Sequence, residues 1–144
     1  MNSRRILFSF LASVALSLSV RPAEAASNTI DGRWDGSMRL LFSSCDGLGG
    51  QVGAIPISFT VSHQGKGLRV VVLDDGNQTV EQGVEISRTA FSAWTNETSD
   101  GISSQGAFTV DRIRRNRGRI QLAGTINFGD SICALYFSGN VVKR

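Results

Sequence analysis

The sequence predicts an all-β domain of eight antiparallel strands closed into an up-and-down barrel, with a two-sheet β-sandwich as the alternative. Three observations predict it. Apolar residues recur with period two, and no helical stripe or heptad is present. Glycine, aspartate and asparagine punctuate the runs at turn-like intervals. Two cysteines, Cys45 and Cys133, fall where the first and last strands of a closed barrel meet.

The first run places Trp34, Gly36, Met38, Leu40 and Phe42 on a dry face and Arg33, Asp35, Ser37 and Arg39 on a wet one. In the second, Ile55, Ile57, Phe59 and Val61 alternate with Ser58, Thr60 and Ser62, and Pro56 marks a strand start or edge. A turn over His63 to Gly67 leads to a third strand, Leu68 to Leu73, apolar on both faces except at Arg69. Asp74-Asp75-Gly76-Asn77 is a hairpin turn, because these residues tolerate positive φ. The fourth strand, Gln78 to Ser87, reads with Val80, Val84 and Ile86 inward, Glu81 and Glu85 outward, and a bulge at Gly83.

The fifth strand runs from Thr89 to Thr95, followed by a turn over Asn96 to Gly101, and the sixth from Gly106 to Ile113. After a turn at Arg114 to Gly118, Ile120, Leu122, Gly124, Ile126 and Phe128 alternate with polar or small residues. Gly129-Asp130-Ser131 turns the chain into a last strand with Cys133, Leu135, Phe137 and Val141 inward. Trp34, Phe42, Phe59, Phe108, Phe128 and Phe137 are the expected interior aromatics. The one long connection, Ser43 to Ala54, carries four glycines.

Short turns favour sequential antiparallel neighbours, and eight strands suffice for closure, which removes exposed edges. In such a barrel the end of strand one and the start of strand eight share a rim. Cys45 and Cys133 lie at those two places, so a disulfide between them is expected, with two buried thiols as the alternative.

Arg4 and Arg5, the apolar run Ile6 to Val20 and the small residues of Ala23-Glu24-Ala25 have the form of a secretory signal over residues 1–25. The expected mature part is a single domain over residues 26–144, periplasmic or secreted, where a disulfide persists. The formal charge of the whole chain is +3. The mature part holds 12 basic and 11 acidic residues, so most of the basic excess leaves with the signal.

Catalytic chemistry is poorly provisioned. His63 is the single histidine, read as an exposed turn residue, and no serine sits in a glycine-flanked elbow. One histidine and two paired cysteines do not make a zinc site, and Asp74, Asp75 and Asn77 read as a turn rather than a calcium loop. No metal or cofactor is expected. Gly47 to Gly50 lacks the lysine and hydroxyl of a phosphate loop. Asn77-Gln78-Thr79 and Asn96-Glu97-Thr98 match the glycosylation acceptor pattern.

Arg112, Arg114, Arg115, Arg117 and Arg119 form the densest charge run. Their forked side chains suit carboxylates or other anions, and no interleaved aromatics suggest nucleic acid. Leu48 and Gln51 in the long connection, and Trp94 on the outward parity of strand five, are candidate rim contacts.

Gly32-Arg33-Trp34 at the start of the first mature strand resembles the opening signature of calycin barrels, the group of lipocalins, avidins and small bacterial protease inhibitors. The resemblance implies a barrel with Trp34 closing one end. An arginine inside the last strand, the four-tryptophan biotin site of avidins and the close cysteine pair of the inhibitors are missing, so no ligand site is implied.

The expected function is that of an exported, non-catalytic binding protein. It recognises or inhibits another extracytoplasmic protein, or contacts an anionic surface, through rim loops. The alternative is a carrier of a small apolar ligand inside the barrel, and a hydrolase ranks last.

Overall fold

The computed structural model describes residues 30–46 and 53–144. The described chain is eight strands: β1 Gly32–Ser43, β2 Ile55–Gln64, β3 Gly67–Asp74, β4 Asn77–Ser87, β5 Ala90–Ser99, β6 Ile102–Arg114, β7 Arg117–Asn127 and β8 Ile132–Lys143. They pair antiparallel in sequence order and β8 returns to β1, closing the barrel. No helix of the described residues is long and apolar enough to cross a membrane.

Two-residue turns set much of the register. Asp75-Gly76 and Asp100-Gly101 take positive φ at both positions, the twist that tight hairpins need. Arg115-Asn116 does the same without glycine, at φ 49° and 63°.

The seam between β1 and β8 runs from Trp34↔Lys143 to Ser43↔Leu135. Two inward glycines permit it. A Cβ on Gly36 would strike the backbone of Asn140 and Val141, and one on Gly139 would strike that of Ser37 and Met38. At one rim Cys45 and Cys133 are bonded, with Cα atoms 4.9 Å apart and a sequence separation of 88. Around the bond, Ser44 N–H donates to the Ala134 carbonyl (2.9 Å) and Ala134 N–H to Ser44 Oγ (2.8 Å). A bond of this kind fits an oxidising compartment.

One half of the interior is solid. Trp34, Phe59, Phe91, Val61, Val70, Val110, Ile120 and Val141 are fully buried. Phe59 stands 6.5 Å from Trp34, stacked, 6.1 Å from Phe91 and 5.3 Å from Phe108 by ring centroid. Such pairs contribute beyond the area they bury. Trp34 Nε1–H donates to the Ile30 carbonyl at 2.8 Å, so the indole is both packed and satisfied.

Several expectations are corrected. The facing of β4 is reversed: Glu81 and Gly83 are buried, whereas Val80, Val84 and Ile86 are exposed. The Asp75-Gly76 turn pairs Asp74 with Asn77, which places Val80 opposite Val71 and Glu81 opposite Val70. Paired residues share a face, and Val70 belongs to the core, so Glu81 turns inward. Phe42 is 56% exposed because the β1–β8 register slips between Leu40 and Phe42, a bulge that rotates it outward. Phe128 lies beyond the end of β7 and is 46% exposed. β5 continues to Ser99 where a turn was expected, and His63 lies in β2 rather than in a turn.

Replacing Cys45 and Cys133 together by serine should lower the unfolding free energy by roughly 4–5 kcal/mol, because a loop of this length is released in the unfolded chain; denaturant titration under oxidising conditions checks it. Gly139→Ala should cost about 1–3 kcal/mol or more by forcing the seam apart. Protection of the β1 and β8 amides from hydrogen exchange should fall with it.

Candidate functional site

The barrel has two dissimilar ends. The packed end gathers the start of β1, the β2–β3, β4–β5 and β6–β7 turns and the end of β8. The other end carries the disulfide, the start of β2, and the β3–β4, β5–β6 and β7–β8 turns.

The arginine run lies at the packed end. The β6–β7 pairing slips between Asp111 and Arg114, and Arg112 sits in that bulge with φ 54°. A non-glycine residue in this region is strained, and such strain concentrates at functional sites. Arg112, Arg114, Arg117 and Arg119 line a hollow of about 570 Å³ together with Asn140 and Val142 of β8. Arg119 grips Asp111 across the hairpin through two hydrogen bonds, Nε–H to Oδ1 at 3.2 Å and Nη2–H to Oδ2 at 3.1 Å. No carboxylate among the described residues pairs with Arg112, Arg114, Arg115 or Arg117. Arg115 is at the turn tip and is not part of the hollow's lining. The run therefore divides into one internally paired arginine, one tip arginine and three directed at a shared groove.

His63 is also at the packed end, held between two acids. As an imidazolium its Nδ1–H donates to Asp31 (2.7 Å) and its Nε2–H to Glu85 (2.9 Å). These bonds, that to Glu85 foremost, raise its pKa above the ordinary 6.5. The three side chains tie the chain before β1 to the end of β2 and to β4. At the same end Asp35 receives Ser58 Oγ–H at 2.6 Å and the Nε–H groups of Arg33 and Arg144. The Ser58 bond leads the effects that hold its carboxyl below the usual range.

The disulfide end is lined differently. Glu81 is only 8% exposed, and its Oε2 has no hydrogen-bond partner among the described residues. Burial, reinforced by the charge of Glu97, pushes its pKa up from 4.5 to about 7. Thr95, Ser104, Gly106, Leu122, Gly124, Ile126 and Leu135 border a cavity of about 170 Å³. Trp94, 44% exposed, lies outside the wall. It borders a shallow groove of about 620 Å³ with Asn96, Gln105, Ala123, Thr125 and Ala134. Leu48 and Gln51 lie outside the described residues.

No protein-family model matches the chain, and no curated protein matches it in sequence. Among the described residues no group of three or more His, Cys, Asp and Glu side chains is arranged to hold a metal. The residue that sequence reasoning missed is Glu81. Its signal was the Asp75-Gly76 turn, which sets the β3–β4 register and hence the carboxylate's facing.

The unfolded chain releases the Glu81 proton near 4.5, and the folded chain holds it to about 7. Stability falls as pH rises through that window, by on the order of 3 kcal/mol for this group. The His63 pairs act in the same direction: their contribution is complete below 6.5 and is lost as pH rises through the raised value. The melting temperature should therefore drop between about pH 5 and pH 8. Glu81→Gln should remove most of that slope, and adding His63→Gln should flatten it further, by calorimetry across the range.

Proposed function

We propose that this protein is an exported, non-catalytic binding module that docks an acidic surface of another extracytoplasmic protein. The observation that carries the reading is the arginine groove. Three guanidinium groups that pair with no carboxylate among the described residues line one hollow at a barrel rim with the exposed Val142. Arginine beside apolar surface is the composition of protein interfaces rather than of a solvated hairpin. The surrounding β6–β7 ladder holds the backbone at Arg112 in its strained conformation. Membership of the calycin barrels is part of the same reading. It rests on Gly32-Arg33-Trp34 and on the buried Trp34 at the packed end.

The solid aromatic half speaks against a carrier of apolar ligands. The cavity left at the other end, about 170 Å³, is below the usual range of roughly 300–1,000 Å³ for small-molecule pockets. His63, with each ring nitrogen bonded to a carboxylate, is poorly placed to serve as a catalytic base.

Combining Arg112→Asn, Arg114→Ser and Arg117→Ser should leave the melting temperature nearly unchanged, since exposed substitutions cost within about 0.5 kcal/mol. Proteins from the native extracytoplasmic fraction that the wild type retains should be released by this variant and by raised salt. A partner retained equally by wild type and variant would overturn the groove as the docking surface.

A further inference from the structure

The wall of the barrel is split at the disulfide end. The β4–β5 ladder runs from Ser87↔Ala90 to Gln82↔Trp94 and stops. β4 continues to Asn77 on its β3 side, and β5 continues to Ser99 on its β6 side. Among the described residues nothing pairs Asn77–Glu81 with Thr95–Ser99. Glu81 is the first residue beyond the last rung on one lip, and Thr95 is its counterpart on the other.

Glu81 and Glu97 belong to the inward-facing series of their strands, with Gly83 on β4 and with Phe91 and Ala93 on β5. Thr95 and Ser104 carry hydroxyls on the border of the 170 Å³ cavity, and Ser104 is the cross-strand partner of Glu97. Gln105 and Thr125 also touch that border, and its apolar part is Leu122, Ile126, Leu135 and the facing glycines Gly106 and Gly124. A small hollow lined by Glu97, Ser99, Asp100, Ile102 and Ser104 opens beside it.

A carboxylate so buried is expensive to ionise without a cation or hydrogen-bond donors. Its neighbour Glu97 is a second acid, which increases that cost. The arrangement is unfavourable for the isolated chain and favourable for a bound cation. We infer that the split between β4 and β5 is a binding site for a small organic ammonium, whose charge lies between Glu81 and Glu97 and whose apolar body enters the adjoining cavity. A cavity of about this size accommodates a benzene ring, which sets the scale of the body. The hydroxyls of Thr95 and Ser104 supply further acceptors for the ammonium N–H groups. A neutral or anionic molecule of the same shape satisfies neither acid. This site lies at the opposite end from the arginine groove and is independent of it.

The probe is benzylammonium, with benzyl alcohol and benzoate as neutral and anionic counterparts, titrated calorimetrically into the oxidised full chain near pH 8. Benzylammonium should bind at least tenfold more tightly than benzyl alcohol, and benzoate should not bind. Glu81→Gln and Glu97→Gln should each weaken benzylammonium about tenfold while leaving benzyl alcohol unchanged. Near pH 6, binding should release a proton, read from the dependence of the heat on the buffer. Equal affinities for the ammonium and the alcohol, or an unaltered ammonium affinity in the Glu97→Gln protein, would overturn the site. The latter variant changes an exposed residue and keeps the test decisive even if Glu81→Gln were poorly folded.

Discussion

Everything in this fold depends on the meeting of its first and last strands. An open eight-stranded sheet would leave two edges of unpaired backbone. Here β1 and β8 complete the ladder instead, and they do so at a distance that only glycine allows at Gly36 and Gly139. The disulfide locks the same seam at one rim. Closure forces alternate side chains of every strand into one enclosed space, so inward and outward become fixed properties of each residue.

That space is filled unequally. Trp34, Phe59, Phe91 and Phe108 occupy one half and make it a dry aromatic core. Towards the disulfide the inward positions change to threonine, serine, glutamate and glycine, and the β4–β5 ladder ends. A barrel of eight strands has little room to spare, so small and polar inward residues translate directly into a hollow. The two ends thereby acquire opposite electrostatic character. Arginines with no carboxylate partner among the described residues line an outer groove at the packed end, and the buried Glu81 and the exposed Glu97 stand towards the other.

Much of this was legible in the residues. Period-two alternation located all eight strands, and the cysteine positions matched the seam they join. Trp94 was correctly read as outward from its parity relative to Phe91 and Ala93. The fourth strand was misread because hydrophobicity and register disagree there. Val80, Val84 and Ile86 are the apolar series, yet they lie outside, while Glu81 lies within. β3 could not correct the error from composition, being apolar on both faces. Phe42 was misread because a bulge breaks alternation without altering composition. The arginine run was visible as a cluster, but its division into a paired Arg119 and a groove-lining set was not.

The sequence by itself determined the all-β class and the number of strands, because these follow from local periodicity and turn chemistry; the choice of a closed barrel over a sandwich, and of a disulfide over two thiols, came with the β1–β8 pairing. Only the tertiary structure decided which face of β4 is inside, where the β4–β5 wall parts and which arginines share a hollow. Those outcomes depend on register and strand coiling. Both are set by contacts between residues far apart in the chain, and a local pattern carries no record of them.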